Sequence, residues 1–468
     1  LNYTTLASTA VMGRERSFRS GSFVVYIFAL AVVALVSVAS YPGFMSFDSV
    51  EALRQAREGV QGSQYPPFGS YVWRIFDWIW PGPTLMQIFQ NGTLLLSFGW
   101  ILNNIGWPIF VRLIVLALFS AVPALLGTML VVWKDVAVAA FYMLSLALAF
   151  EIASSESSRR KKWLTAAAVF FLFCGMAYRF NAASGALPIL IYIFFVNRGG
   201  VSAKEGLLKI SAKAFAALLL LFSLVWVVNS FRFPEFTRLE KNTNMTSIMR
   251  YDLVGISVYS GVSFVDDKSG NPVDPKYLGK IYDARHLNIT SHNDSEGRIA
   301  DEVDNLFGRW IAAIFKNPVA YLKHRFAVFS EYIGLHNREI FYVTHPNVDE
   351  NKLGVSHTPN RLTPVLVNYV VSFKQSLLDR AWIYYLAGVL ALVSAFVRGP
   401  AMRYRVEAAV ALGSALLYLA PMYFITPAGD LRYNFWSISG TLVCLVFVFA
   451  GHFAYRRDKN VSSPGSAN

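Results

Sequence analysis

Charge is scarce in this chain. Asp, Glu, Lys and Arg make up 15% of its 468 residues, where a soluble domain carries about a quarter. Too few charges remain to solvate a soluble surface. The 55% hydrophobic content and the mean hydropathy of +0.42 describe an integral membrane protein instead. Cysteine is nearly absent. Cys174 and Cys444 both fall inside apolar runs, which excludes a disulfide framework and argues against a thiolate metal site. The seven histidines show no zinc-ligand spacing; His286, His292, His324, His336, His345 and His357 read as scattered surface groups. There is no phosphate-cradling glycine pattern, no convincing repeat and no evident cleavable signal.

What is there is a series of long apolar runs. They are too long and unbroken for barrel strands, and open sheets cannot cross lipid, so the spans are helices. The reading is an all-α polytopic protein with about ten transmembrane helices. They cover roughly 22–40, 84–103, 107–131, 136–153, 163–178, 182–197, 212–231, 381–397, 406–424 and 434–454. The net charge of +13 does not indicate nucleic acid, because much of the excess sits in short gaps between runs. Those gaps hold Arg14, Arg16 and Arg19; Arg159 to Lys162; Arg198, Lys204, Lys209 and Lys213; Arg398, Arg403 and Arg405; and Arg456, Arg457 and Lys459. Every second gap is basic except the uncharged one near Asn103-Asn104, so both termini are expected in the cytoplasm.

The chain divides into an N-terminal membrane module over 1–231 and an extracytoplasmic segment over 232–376. C-terminal spans follow over 377–457, then a disordered tail over 458–468. Within the second part, 303–335 reads as two helices broken at Asn317-Pro318. Lys316, Lys323, His324 and Arg325 argue against a span there and favour an interfacial position or a small outer domain.

The outer corners carry the chemistry. Asp48 and Glu51 lie in the first, Lys134 and Asp135 in the second, Arg179 in the third, and Asp430 and Arg432 in the last. Ionisable groups at helix ends are often interfacial anchors. Corners that share one side and mix acid with Arg or Lys also suit one cavity. A carboxylate there takes a proton from an acceptor hydroxyl, and Arg or Lys holds a phosphate leaving group. The aromatics after Asp48 (Tyr65, Phe68, Tyr71, Trp73, Trp78) either stack on sugar faces or lie in the headgroup layer.

At these residues the chain resembles the GT-C superfamily of integral-membrane glycosyltransferases, which includes protein O-mannosyltransferases, aminoarabinose transferases and O-antigen glucosyltransferases. Asp48 stands where that superfamily has its first-loop acid. Tyr65-Pro66-Pro67 stands at the His-Pro-Pro or Lys-Pro-Pro turn, with Tyr65 in place of the basic residue. Asp135 matches a second acid, without an acidic neighbour. Arg179-Phe-Asn181 and Asp430-Leu-Arg432-Tyr433 resemble short motifs at outer helix ends of bacterial members.

The resemblance implies an enzyme in a bacterial inner membrane with its active site outside the cytoplasm. Its donor would be a polyprenyl-phosphate sugar, and its acceptor a glycan, a lipid-linked saccharide or a protein. Asp48 and Asp135 would be catalytic. Arg179, Arg432 and Lys134 would hold the donor phosphate. Glu51, Tyr65, Pro66, Pro67, Asn181, Asp430, Tyr433 and Arg325 would line the cavity. No cofactor is implied, a divalent metal stays open, and the other partners are membrane lipids, with no nucleic acid. Two other classes compete. An O-antigen polymerase or ligase would use Arg309, His324, Arg325 and Arg338 on the outer segment. A transporter or flippase would place its charges near the bilayer midplane in paired halves, which are not visible.

The charge alternation puts Ser295 outside. A single cysteine there, in a Cys174→Ala/Cys444→Ala background, should react with an impermeant maleimide in intact cells, through a permeabilised outer membrane where there is one. Labelling that requires lysis of the inner membrane would invert the topology.

Overall fold

The computed structural model describes residues 22–62, 66–198, 204–230, 238–240, 244–300, 304–336, 343–399 and 402–462. Each apolar run becomes a helix, because a helix satisfies its own backbone while its side chains face lipid or one another. The first half contains α1 (Ser22–Ala39), α2 (Phe47–Glu58), α3 (Pro67–Ile79), α4 (Thr84–Ile105), α5 (Ile109–Ala121) and α6 (Pro123–Met129). It continues with α7 (Lys134–Ser154), α8 (Ser158–Tyr178), α9 (Ala183–Asn197) and α10 (Lys204–Ser230). The segment read above as extracytoplasmic, called the outer segment for its sequence reading alone, holds α11 (Asn244–Ser260), α12 (Pro275–Ile281), α13 (Leu287–Asn293), α14 (Leu306–Lys316), α15 (Pro318–Tyr332) and α16 (Leu362–Ser372). The chain closes with α17 (Ala381–Val397), α18 (Arg405–Leu419), α19 (Met422–Ile425) and α20 (Phe435–Ser462). Two three-residue strands, Val60–Gly62 and Arg238–Glu240, pair in parallel.

Among the described residues, six helical stretches are long and apolar enough to cross a membrane, or seven if one bent pair counts as a span. Ten were expected. A helix stands at every expected position, but three do not meet that standard of length and composition, namely α8, α9 and α17. α8 begins with Arg159, Arg160, Lys161 and Lys162, while α9 and α17 have 15 and 17 residues. The expected span 107–131 is not one helix. It bends by 71° between α5 and α6, at Pro123, whose ring cannot continue the α5 hydrogen-bond ladder. At the far end, α20 runs on to Ser462, into the stretch read as a tail.

α7 is the centre of the bundle. It is buried along nearly all of its length, and α4, α8 and α20 pack around it. Polar caps mark the end that carries the basic gaps. Arg112 is buried and donates to Asn103 Oδ1 at 2.7 Å, Arg160 pairs with Glu151 at 2.8 Å, and Tyr192 donates to Glu407 at 2.9 Å.

The outer segment has two parts. α11 to α15 form a small unit with its own core of Leu253, Ile256, Leu278, Ile281 and Ala313. The break at Asn317-Pro318 falls where the sequence puts it. The later stretch returns to the bundle, which was not foreseen. Met45 is bonded on both sides of the 347–349 backbone, and α16 lies along α1 and α6. Thr363 Oγ1 donates to Ala39 O at 2.6 Å and Tyr369 Oη to Ala121 O at 2.8 Å.

This return path depends on Gly127 in α6, since a Cβ there would run into the carbonyl of Val343 and the side chain of Val370. Gly127→Ala is expected to destabilise the detergent-solubilised protein by about 1–3 kcal/mol, as overpacking does. An unchanged thermal unfolding midpoint would mean that the 343 backbone does not lie against α6.

Candidate functional site

The four charged corners meet at the other end of the bundle. Asp48 stands in the first turn of α2, where the helix dipole favours a carboxylate. Two bonds fix α2 against the corner that precedes α7. Trp133 Nε1 donates to Ser46 Oγ at 2.8 Å, and Ser49 Oγ donates to Val132 O at 2.7 Å. Gly43 makes the approach possible. Its φ is +130°, and its Cα runs so close to Val132 and Pro83 that a Cβ would lie 3.1–3.2 Å from them.

The second corner is held from α4. Gln87 Nε2 donates to Leu130 O at 2.9 Å and to Ser40 Oγ at 2.8 Å, and Asn91 Nδ2 donates to Met129 O at 2.9 Å. These amides satisfy carbonyls that α6 leaves open where it stops. Lys134 and Asp135 then open α7.

Arg432 joins the first corner to the last. Its Nη2 lies 2.6 Å from Asp48 Oδ2, and its Nε donates to Asp430 Oδ2 at 2.7 Å. Its guanidinium lies 4.7 Å from the Trp133 ring and 5.0 Å from the Tyr433 ring. Arg179 pairs with Asp135, donates to Asn181 Oδ1 at 3.2 Å, and lies 4.8 Å from the same Tyr433 ring. Three carboxylates (Asp48, Asp135, Asp430) are thus gathered with three basic side chains (Lys134, Arg179, Arg432). Among the carboxylates, Asp48 is the open one. Its side chain is 30% exposed, against 1% for both Asp135 and Asp430.

A small cavity opens beside Asp48 and Arg432. Lys134, Trp133 and Pro66 line it, with Trp73, Met86 and Tyr178 on the apolar side. Ser70 Oγ, Gln90 Oε1 and Tyr178 Oη belong to its wall, are buried, and have no hydrogen-bond partner among the described residues. Buried polar atoms are normally paired, so these three are exceptions grouped beside the cavity.

The expected residues divide into three groups. Asp48, Lys134, Arg432 and Pro66 line the cavity. Asp135, Arg179, Asn181, Asp430 and Tyr433 stand behind it in the ion pairs and ring contacts given above, and Pro67 is buried in the first turn of α3. Glu51 and Arg325 are elsewhere. Glu51 faces its own helix and pairs with Arg54 at 2.6 Å. Arg325 is fully buried in the outer unit. It pairs with Asp252 at 2.6 Å and donates to Thr426 O at 3.0 Å. Asp252 also accepts from His324 at 3.0 Å and Trp310 at 2.7 Å, which makes this cluster structural. Tyr65 lies outside the described residues. The aromatics after Asp48 separate as well: Trp73 is buried on the cavity wall, whereas Trp78 is 86% exposed.

Sequence reasoning missed Gln90, Ser70 and Tyr178. A signal existed for the first: Gln87, Gln90 and Asn91 fall at i, i+3 and i+4 and so share one face of an apolar helix. His286, read as a surface group, stands at the site's edge. It forms a bridge with Ala428, two residues before Asp430. Burial and then Arg432 hold its pKa below the usual histidine value. Among the described residues, no group of three or more His, Cys, Asp or Glu side chains is arranged to hold a metal ion. The chain matches no family model, no curated protein and no solved structure.

Because Asp430 is buried, its charge depends on Arg432. Arg432→Ala is expected to cost about 3–5 kcal/mol, the range for leaving a buried charge without its partner. Adding Asp430→Asn should recover part of that loss. Strictly additive losses in chemical denaturation would mean that the two side chains do not form a coupled buried pair.

Proposed function

We propose that this protein is a membrane glycosyltransferase that moves a sugar from a polyprenyl-phosphate donor to an acceptor hydroxyl. The observation that carries the reading is the convergence of four separate corners on one cavity at one end of a membrane bundle. That cavity offers an open carboxylate, two basic side chains and a largely apolar wall. The reading includes the finer architecture: about ten membrane crossings, with α8, α9, α17 and the bent α5–α6 pair as the additional ones, in a GT-C-like arrangement. It also puts the cavity outside the cytoplasm of a bacterial inner membrane.

The chemistry follows from the contacts. Arg432 Nη2 is held by Asp48, so an incoming donor phosphate competes with that carboxylate for the guanidinium. Once the phosphate takes the cation, Asp48 is free to act as a base. The acceptor oxygen then attacks the anomeric carbon of the sugar. The bond from that carbon to the phosphate oxygen breaks, its electron pair stays on the phosphate, and the acceptor proton passes to Asp48. Arg432 and Lys134 stabilise the charge that gathers on the leaving phosphate. Arg179 and Asp135 keep Tyr433, and through it Arg432, in position.

The polymerase or ligase reading finds less support. Of the cations it would use, Arg309 is paired with Asp266 at 2.5 Å, and His324 and Arg325 are committed to Asp252. Arg338 lies outside the described residues.

The test is transfer of radiolabel from a panel of polyprenyl-phosphate sugars in membranes containing the protein. Asp48→Asn keeps the shape and removes the basicity, so transfer should fall by about 10²-fold or more at normal expression. Near-wild-type turnover by Asp48→Asn would remove that residue as the base. Arg432→Lys keeps the charge but loses the fork between Asp48 and Asp430, and donor use should weaken. Unchanged donor affinity in both Arg179→Ala and Arg432→Ala would mean that the phosphate binds elsewhere.

A further inference from the structure

Helices α14 and α15 are apolar on two sides. Ala313, Ala320, Tyr321 and Val328 face the cores of the outer unit. On the outer side Phe315, Val319, Leu322 and Phe326 are 80%, 64%, 46% and 58% exposed. Val319, Leu322 and Phe326 follow i, i+3, i+7 spacing and form one stripe. Soluble surfaces rarely leave such a stripe open.

This stripe is continuous with the membrane bundle. Tyr423 Oη donates to Leu322 O at 3.2 Å, and the rings of Tyr423 and Phe329 lie 5.4 Å apart. Tyr423 sits at the end of Arg405–Ile425, a stretch long and apolar enough to cross a membrane, and Phe424 beside it is half exposed.

An open depression borders the stripe, at the break between α14 and α15. It is lined by Tyr259, Ser260, Lys316, Asn317, Pro318 and Lys323, among others. Lys316 and Lys323 have no ion-pair partner among the described residues.

We propose that α14 and α15 lie on the lipid leaflet at the cavity end of the bundle, with acyl chains against the stripe. The depression then takes the phosphate of an anionic phospholipid headgroup between Lys316 and Lys323. A membrane is favoured over a protein partner because the stripe runs without a break into a membrane-spanning stretch. The two lysines also stand at its edge, where long side chains reach the headgroup layer. The inference does not rest on the sugar-transfer reading, and its test does not read activity.

The wild-type protein is placed in nanodiscs of phosphatidylcholine, with or without phosphatidylglycerol, and treated with an amine-reactive reagent. Peptide mass spectrometry should show Lys316 and Lys323 protected roughly fivefold or more by phosphatidylglycerol, the scale of attraction of one lysine to an anionic surface. Lys268 serves as the reference and should be unchanged. Equal labelling in both discs overturns the headgroup site. Equal protection by soluble glycerol phosphate in phosphatidylcholine discs overturns the lipid as its source. A bimane on Phe315→Cys should be quenched by phospholipid brominated in the acyl chain, whereas one on Ser295→Cys should not. An unquenched label at position 315 overturns the leaflet contact. If that label is instead shielded as protein concentration rises, the stripe is an interface between copies of the chain.

Discussion

Arg432 is the constraint on which the candidate site depends. It is held by Asp48 from α2 and by Asp430 from its own corner, and it lies against Trp133 from the corner before α7. Those residues come from distant parts of the chain. A buried guanidinium is tolerated only when its donors and its charge are both answered, so each corner is pinned where the others need it. Tyr433 extends the arrangement, because Arg179 lies over the same ring and carries Asp135 with it. Loss of one member would leave its neighbours with buried charge, which makes the cluster cooperative.

The outer unit reaches this cluster through backbone. Arg325 is tied to Asp252 inside that unit and donates to the carbonyl of Thr426. Next along the chain, Leu287 N donates to Pro427 O at 3.0 Å, and Gly429 N donates to Arg285 O at 2.7 Å. The stretch from Thr426 to Gly429 is therefore laced to the outer unit just before Asp430. Asn434 closes it from the other side, accepting from Tyr385 at 2.6 Å and donating to Tyr332 O at 2.9 Å. Arg325 thus acts on the cavity from a distance, by holding the corner that presents Arg432.

Much of the site was legible because it is local. Asp48, Lys134, Asp135, Arg179, Asp430 and Arg432 each sit at a helix end beside an apolar run, and a charge in that setting is visible in a short window. What was not legible depends on long-range partners. Nothing near Arg325 in sequence reveals that Asp252 neutralises it, so it read as a cavity cation. Glu51 reads like Asp48 in composition, but the pitch of α2 turns it toward Arg54. Gln90 and Tyr178 lie within apolar helices and gain meaning only when other helices close around them. The fold shows the same division. Helix positions followed from hydropathy, but the 71° bend at Pro123 did not, because both sides of the bend are equally apolar. α16 has only 11 residues, and its packing on α1 and α6 depends on a glycine in α6 that periodicity cannot single out.

Charge balance suits the proposed reaction better than an excess of either sign would. With three acids facing three bases, the cavity is tolerable to the fold without a ligand. Asp430 and Asp135 are buried with their arginines, whereas Asp48 is the more open partner and the one a competing anion can displace. A phosphate that binds Arg432 therefore takes over the ion pair that Asp48 had supplied and releases a carboxylate beside itself. On this reading, donor binding and activation of the base are the same exchange of ion-pair partners. The base would then be uncovered only when there is a sugar to transfer.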